Sequence, residues 1–158
     1  MHAQASQFLR TAARVELQAE EIYTVMAETF FRSAVLRDTF VRLASEERQH
    51  AMRLRLLERH QSHLPWSPAT LKKMTASLAE MSDALAVIRK ELASATARRD
   101  PYAMLRRLAE VEQRFSLVHA EEAAAEGDPG VRELFAALAR QDAEHGRFIA
   151  WAKSKAAA

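Results

Sequence analysis

In the stretch LASEERQHAM, positions 43–52, Glu47 and His50 stand where a helix of this pattern needs apolar side chains. Steps of three and four residues join Leu36, Phe40, Leu43, Glu47, His50, Leu54 and Leu57 into one stripe, and residues so spaced share one face of an α-helix. Apolar residues hold both ends of the stripe, so it faces a core and carries the polar pair at its middle. Arg42, Glu46, Arg48 and Arg53 fall on other faces and read as solvated. A carboxylate and an imidazole in a dry core need something to balance them, which restricts the folds open to this chain.

The same feature recurs along the chain. With 3 Gly and 4 Pro among 158 residues, the sequence favours long helices and few turns, and an all-α fold is expected. Punctuation marks five helical segments. The first runs from about Gln7 to Phe31 and the second from about Ala34 to His60, with a turn near Ser33. Ser67 and Pro68 open a third that reaches about Ala95, and Asp100 with Pro101 opens a fourth that reaches about Glu126. Gly127 closes the fourth, and Asp128 with Pro129 opens the last, whose AKSKAAA tail is expected to fray. One domain over residues 1–158 is the expectation, with 61–100 as a linker plus a third helix inside it.

The stripe of the first segment is Leu9, Ala12, Glu16, Ala19, Tyr23, Met26, Phe30; that of the fourth is Leu105, Leu108, Glu112, Phe115, His119, Glu122. The last carries Val131, Phe135, Leu138, Asp142, His145, Ile149, Ala152. Only the third segment, with Leu71, Met74, Leu78, Met81, Leu85, Ile88 and Leu92, has a stripe free of polar residues. An offset of 96 carries Glu16 onto Glu112, and one of 95 carries Glu47 and His50 onto Asp142 and His145. The chain therefore contains two similar helical hairpins that face each other.

Four carboxylates and two imidazoles at one level of a bundle repel unless charge is neutralised, and two divalent cations would do so. A Glu from each of two helices, with a Glu-x-x-His from each of two others, is the pattern of carboxylate bundles that hold two iron or manganese ions, and these seams match it. The candidate ligands are thus Glu16, Glu47, His50, Glu112, Asp142 and His145. Oxygen-rich ligation with one imidazole per metal suits two iron ions, with manganese as the alternative, better than a structural zinc. Taken alone, each motif has a plainer reading: a Glu-x-x-His is common on helix surfaces, and Asp142 with His145 could be a buried hydrogen-bonded pair. His119 and Tyr23 occupy matching positions two turns beyond Glu112 and Glu16; His119 reads as a hydrogen-bond partner of the ligands, with direct ligation as the alternative. Glu122 reads as reaching to the bundle end, His2, His60 and His63 as surface groups, and Met26, Met74 and Met81 as core filler.

Other function classes are narrowed by composition. There is no cysteine, which removes disulfides, thiolate metal sites and cysteine nucleophiles. No run of 18 apolar residues occurs and the first ten residues have no apolar leader core, so a cytoplasmic protein without a membrane span is expected. The net charge is +2, from 23 basic and 21 acidic residues interleaved, and no nucleic-acid partner is expected.

Through VELQAEEIY, LASEERQHA, VEQRFSLVH and LARQDAEHG the sequence resembles the ferritin-like domain of the rubrerythrins. The resemblance covers nearly the whole chain. It implies a four-helix bundle of two antiparallel hairpins joined by a long crossover helix. It also implies that Glu16 and Glu112 are terminal ligands, that Glu47 and Asp142 bridge, and that His50 and His145 each cap one iron. Tyr23 matches the family's aromatic neighbour of the site and is the candidate catalytic group. Three positions depart from the pattern. Full-type members carry a rubredoxin module with a four-cysteine iron site, for which these residues have no cysteine; Asp142 stands where the family has Glu; and Phe115 stands where many members have an extra Glu.

The expected function is a non-haem di-iron oxidoreductase that reduces hydrogen peroxide or dioxygen. Its electrons would come from a separate donor such as a rubredoxin-type protein, and the resemblance favours a homodimer, for which an exposed side of the third helix would offer a surface. The alternatives are a ferroxidase or iron-storage protein, a di-iron hydroxylase, and a metal-free interaction module.

Overall fold

The computed structural model describes residues 2–60, 66–94, 101–125 and 127–156, which form five helices. They are α1 (His2–Thr29), α2 (Ala34–His60), α3 (Pro68–Leu92), α4 (Pro101–Ala125) and α5 (Pro129–Ala156). The first begins five residues before the expected start at Gln7, at His2, because the leading residues HAQAS suit a helix even without a seam. Asp100, expected to cap α4, lies outside the described residues, as do His63 and the side chain of His60.

Local chemistry starts α2, α3 and α5 where the sequence places them. Ser33 accepts the amide of Leu36 at its side chain and that of Arg37 at its carbonyl, so α2 begins right after the turn. Ser67 Oγ accepts the amide of Thr70 at 3.1 Å, and Pro68, which has no amide hydrogen to lose, fills the first helical position. Asp128 Oδ1 takes the amides of Gly130 and Val131 at 2.8 and 3.0 Å. Gly127 does stand past α4, but no described glycine has a positive φ, so the chain turns there without a left-handed cap.

Cross-helix pairs set the directions. Ser6 and Arg10 reach Glu58, and Arg48 reaches Glu20, so α1 and α2 are antiparallel. In the second hairpin Ser116 Oγ donates to the carbonyl of Ala139 at 2.9 Å. Helix α3 runs parallel to α1, through Ser82–Gln18 and Arg89–Glu21, and antiparallel to α4, through Lys73–Glu121 and Arg114–Glu80. At 25 residues and 1.5 Å each it spans about 37 Å, enough to carry the chain from one end of the bundle to the other.

The apolar stripe of α3 is spent inside the chain. Leu71, Met74, Leu78, Met81, Leu85 and Ile88 are all buried, and among its described residues Val87 is the one large apolar side chain left exposed. Trp66, just before α3, is buried edge-on against Phe8 with ring centroids 5.2 Å apart and tilted onto Phe135 at 6.0 Å, which fastens the start of the crossover to the bundle end.

Because the crossover is held by this seam, Leu78→Ala should cost about 2–5 kcal/mol of folding stability. Thermal unfolding followed by far-ultraviolet circular dichroism checks it; an unchanged midpoint would mean that α3 is not part of the cooperative core.

Candidate metal centre

Each of the four bundle helices delivers its polar residues to one level. Glu16 and Tyr23 come from α1, Glu47 and His50 from α2, Glu112 and His119 from α4, and Asp142 and His145 from α5; all are buried. Leu43, Leu54, Leu108, Leu138 and Ile149 close the seams on either side. Seven of the eight are ionisable groups of acid or imidazole type, so the arrangement of their charges decides what the site can hold.

Two triads can each gather about one cation: Glu16, Glu47 and His50, and Glu47, Glu112 and His145, with ligand atoms within 4.8 Å of one another in each. Glu47 belongs to both. Its Oε2 lies 3.2 Å from His50 Nδ1 and its Oε1 2.9 Å from His145 Nδ1, while the two imidazoles stack nearly parallel with centroids 5.5 Å apart. Glu16 Oε2 lies 3.6 Å from His50 Nδ1, and Glu112 Oε2 3.3 Å from His145 Nδ1. Despite these approaches His50 Nδ1, His145 Nδ1 and Glu112 Oε2 have no hydrogen-bond partner among the described residues. Carboxylate oxygens surround each nitrogen without aligning on it, which is how ligands around a shared cation are disposed; a buried hydrogen-bonded pair would align.

Asp142 is placed differently from Glu47. It belongs to neither triad: Oδ2 is 2.7 Å from His119 Nδ1, and Oδ1 is 3.7 Å from His50 Nδ1. One methylene shorter than Glu, its carboxylate stays beside its own hairpin, where His119 holds it. The other nitrogen of His119 lies 3.4 Å from Glu16 Oε1 without a hydrogen bond, so this imidazole stands between Asp142 and Glu16. Tyr23 makes the corresponding link from the other hairpin, its hydroxyl donating to Glu112 Oε1.

Four residues take places that the sequence reading did not give them. Glu46, read as solvated, accepts from His145 Nε2 at 2.8 Å with its side chain only 21% exposed. Gln141 Oε1 meets His50 Nε2 at 3.1 Å and is held by Arg53, also read as solvated, at 2.8 Å. The 95-residue offset maps Glu46 onto Gln141, and that was the signal available. Glu122, read as reaching to the bundle end, is instead fully buried with neither oxygen hydrogen-bonded, 3.9 Å from His119 Nε2.

Burial and pairing move the acidities of these groups far from their ordinary values. Burial pushes Glu16 up to about 8, and Glu112 and Glu122 each up to about 7. For Glu47 burial acts the same way, but His145 and His50 outweigh it and hold the carboxyl well below the usual range. Burial opposes charge on the imidazoles too, yet Glu16 and Glu47 raise His50 to about 10, and Asp142 raises His119 to about 10. His145 is raised further still by Glu112, Glu46 and Glu47 against the same opposition, while its hydrogen bond draws Glu46 down to about 2. For the chain by itself, protons supply the positive charge that the carboxylates need.

A family model described as Rubrerythrin matches residues 7–150. The chain belongs to the rubrerythrin family. Neither a curated protein nor a solved structure matches it at a significant level. Membership makes the helical bundle ferritin-like, and the carboxylate and imidazole clusters of this rubrerythrin are of the kind that binds metal. No described helix is long and apolar enough to cross a membrane. The position that carries an additional Glu in many rubrerythrins is here Phe115, buried and tilted against His119 with centroids 6.3 Å apart.

Metal-free protein should lose stability as pH rises. Glu16, Glu112 and Glu122, ordinarily near 4.5, and His50 and His119, ordinarily near 6.5, all bind protons more tightly folded than unfolded. The folded chain therefore holds excess protons between about pH 4.5 and 10, and its stability falls across that window. Urea unfolding with a chelator present should give a lower midpoint at about pH 9 than at about pH 5.5; an equal or higher midpoint would contradict these shifts.

Proposed function

We propose that this rubrerythrin is a non-haem di-iron oxidoreductase that reduces hydrogen peroxide or dioxygen with electrons from a separate donor protein. The observation that carries the reading is the pair of buried triads sharing Glu47, with both Nδ1 atoms and Glu112 Oε2 left without hydrogen-bond partners. Two iron ions held there would supply one electron each at a single place, the two that reduction of one peroxide to two waters consumes.

What the chain contributes is position and charge. Glu16 and His50 would hold one ion, Glu112 and His145 the other, and Glu47 both. Asp142, fixed by His119, stands at the same level and adds negative charge against the pair. The Tyr23 hydroxyl keeps a proton at Glu112 Oε1 and so fixes the orientation of that carboxylate. Buried leucines on both sides keep bulk water from the reacting level, which strengthens every charge interaction within it. With no cysteine in these residues, no thiolate iron site among them can pass electrons on, and a donor outside them would supply the electrons.

Anaerobic loading with Fe(II), followed by iron analysis, should give two irons per native chain, and less than one for Glu47→Ala, which removes the carboxylate common to both triads. Peroxide added to the loaded native protein should then oxidise the iron within one mixing step. A loaded protein that neither peroxide nor dioxygen oxidises would refute the oxidoreductase reading, and continued uptake with mineral growth beyond two irons per chain would assign storage instead.

A further inference from the structure

The internal repeat makes His50 and His145 equivalent, but the groups behind them are not. His145 Nε2 meets Glu46 Oε2 at 2.8 Å, and His50 Nε2 meets Gln141 Oε1 at 3.1 Å. Arg53 Nη1 donates to that same Gln141 atom at 2.8 Å, and since a guanidinium only donates, the atom is the amide oxygen and not its nitrogen. A carboxylate likewise only accepts. Both imidazoles therefore present Nε2–H outward and, when neutral, turn the lone pair of Nδ1 toward the triads.

Both outer partners are also fixed in place. Arg42 Nε donates to Glu46 Oε1 at 2.8 Å, and its guanidinium lies over the ring of Phe148, 4.3 Å from the centroid. Arg53 does the same for Gln141. With tautomer and position alike on the two sides, what differs is formal charge: a carboxylate behind His145, a neutral amide behind His50. A hydrogen bond to an ionised acceptor is roughly twice as strong as one to a neutral acceptor, and a carboxylate behind a ligating imidazole raises its basicity toward a metal.

We propose that Glu46 is a positioning residue that selectively strengthens cation binding at the Glu47–Glu112–His145 position, leaving the Glu16–Glu47–His50 position without an equivalent. This rests on the dinuclear reading of the site, though not on its redox activity. Of the two triads Glu46 touches His145 alone and would not reach the cation itself, and the offset that carries it onto Gln141 shows that one hairpin has a group the other lacks.

Glu46→Gln keeps the length and shape of the side chain and removes the charge. Isothermal titration of the metal-free protein with Co(II), read alongside its visible d–d absorption, should show two steps in the native chain. In Glu46→Gln one step should weaken about 10–100-fold while the other stays unchanged, the range found when partners behind metal ligands are altered. Gln141→Glu should tighten the opposite step. Glu46→Gln with both steps intact, or with both weakened alike, would overturn the inference while leaving the two-metal site standing. A native chain that binds no Co(II) at all would bring down the dinuclear reading and the inference with it.

Discussion

Glu47 is the side chain through which both halves of the centre communicate. Its two oxygens lie 3.2 and 2.9 Å from imidazoles on different hairpins, so the packing of α1 with α2 against α4 with α5 is defined at that point. Seven other polar or charged side chains are buried with it among the described residues. In a bundle this size, that many groups removed from water would oppose folding unless each found a counter-charge, and the apolar seams above and below are what hold them to one level. The tighter hold of Glu16, Glu112, His50 and His119 on their protons is the other face of the same constraint: where no cation is bound, protons take over the charge balance.

The repeat supplies an approximate twofold, and the substitutions that break it are chemically directed. Tyr23 serves Glu112 while its counterpart His119 serves Glu16. Tyr23 stacks on Phe40 at 5.8 Å as His119 lies against Phe135 at 6.1 Å. Asp142 replaces the longer carboxylate of Glu47 and is taken up by His119, an interaction that the tyrosine of the other hairpin has no basic nitrogen to make. Glu46 and Gln141 then differ by one charge behind otherwise matched imidazoles. Together these make two unlike triads out of two like hairpins.

Much of the fold could be read from residue order because it depends on local rules. Ser33, Ser67 and Asp128 cap helices where polar side chains precede apolar periodicity, and the uninterrupted stripe of α3 marked it as a helix buried without a ligand. The six candidate ligands were legible for a related reason: a carboxylate in an apolar seam violates the pattern of its own helix. Glu46 violates nothing. It lies off the seam, and it turns inward only because α5 brings His145 beside it, 99 positions later in the chain. Trp66 was hidden in the same way, since a linker has no periodicity from which burial can be inferred, and Glu122 was misjudged because its distance from the bundle end is set by neighbouring helices.

The sequence by itself determined the five helices, their two-hairpin repeat, and the presence of carboxylates and imidazoles at the centre of a core, because periodicity and capping act within a few residues. Only the tertiary structure decided which of those groups gather into triads able to hold a cation, that Glu47 joins the two triads while Asp142 turns to His119, and that a carboxylate backs one imidazole and an amide the other. Those outcomes depend on distances between helices far apart in the chain, and differences of one methylene or one charge acquire meaning only when the helices meet.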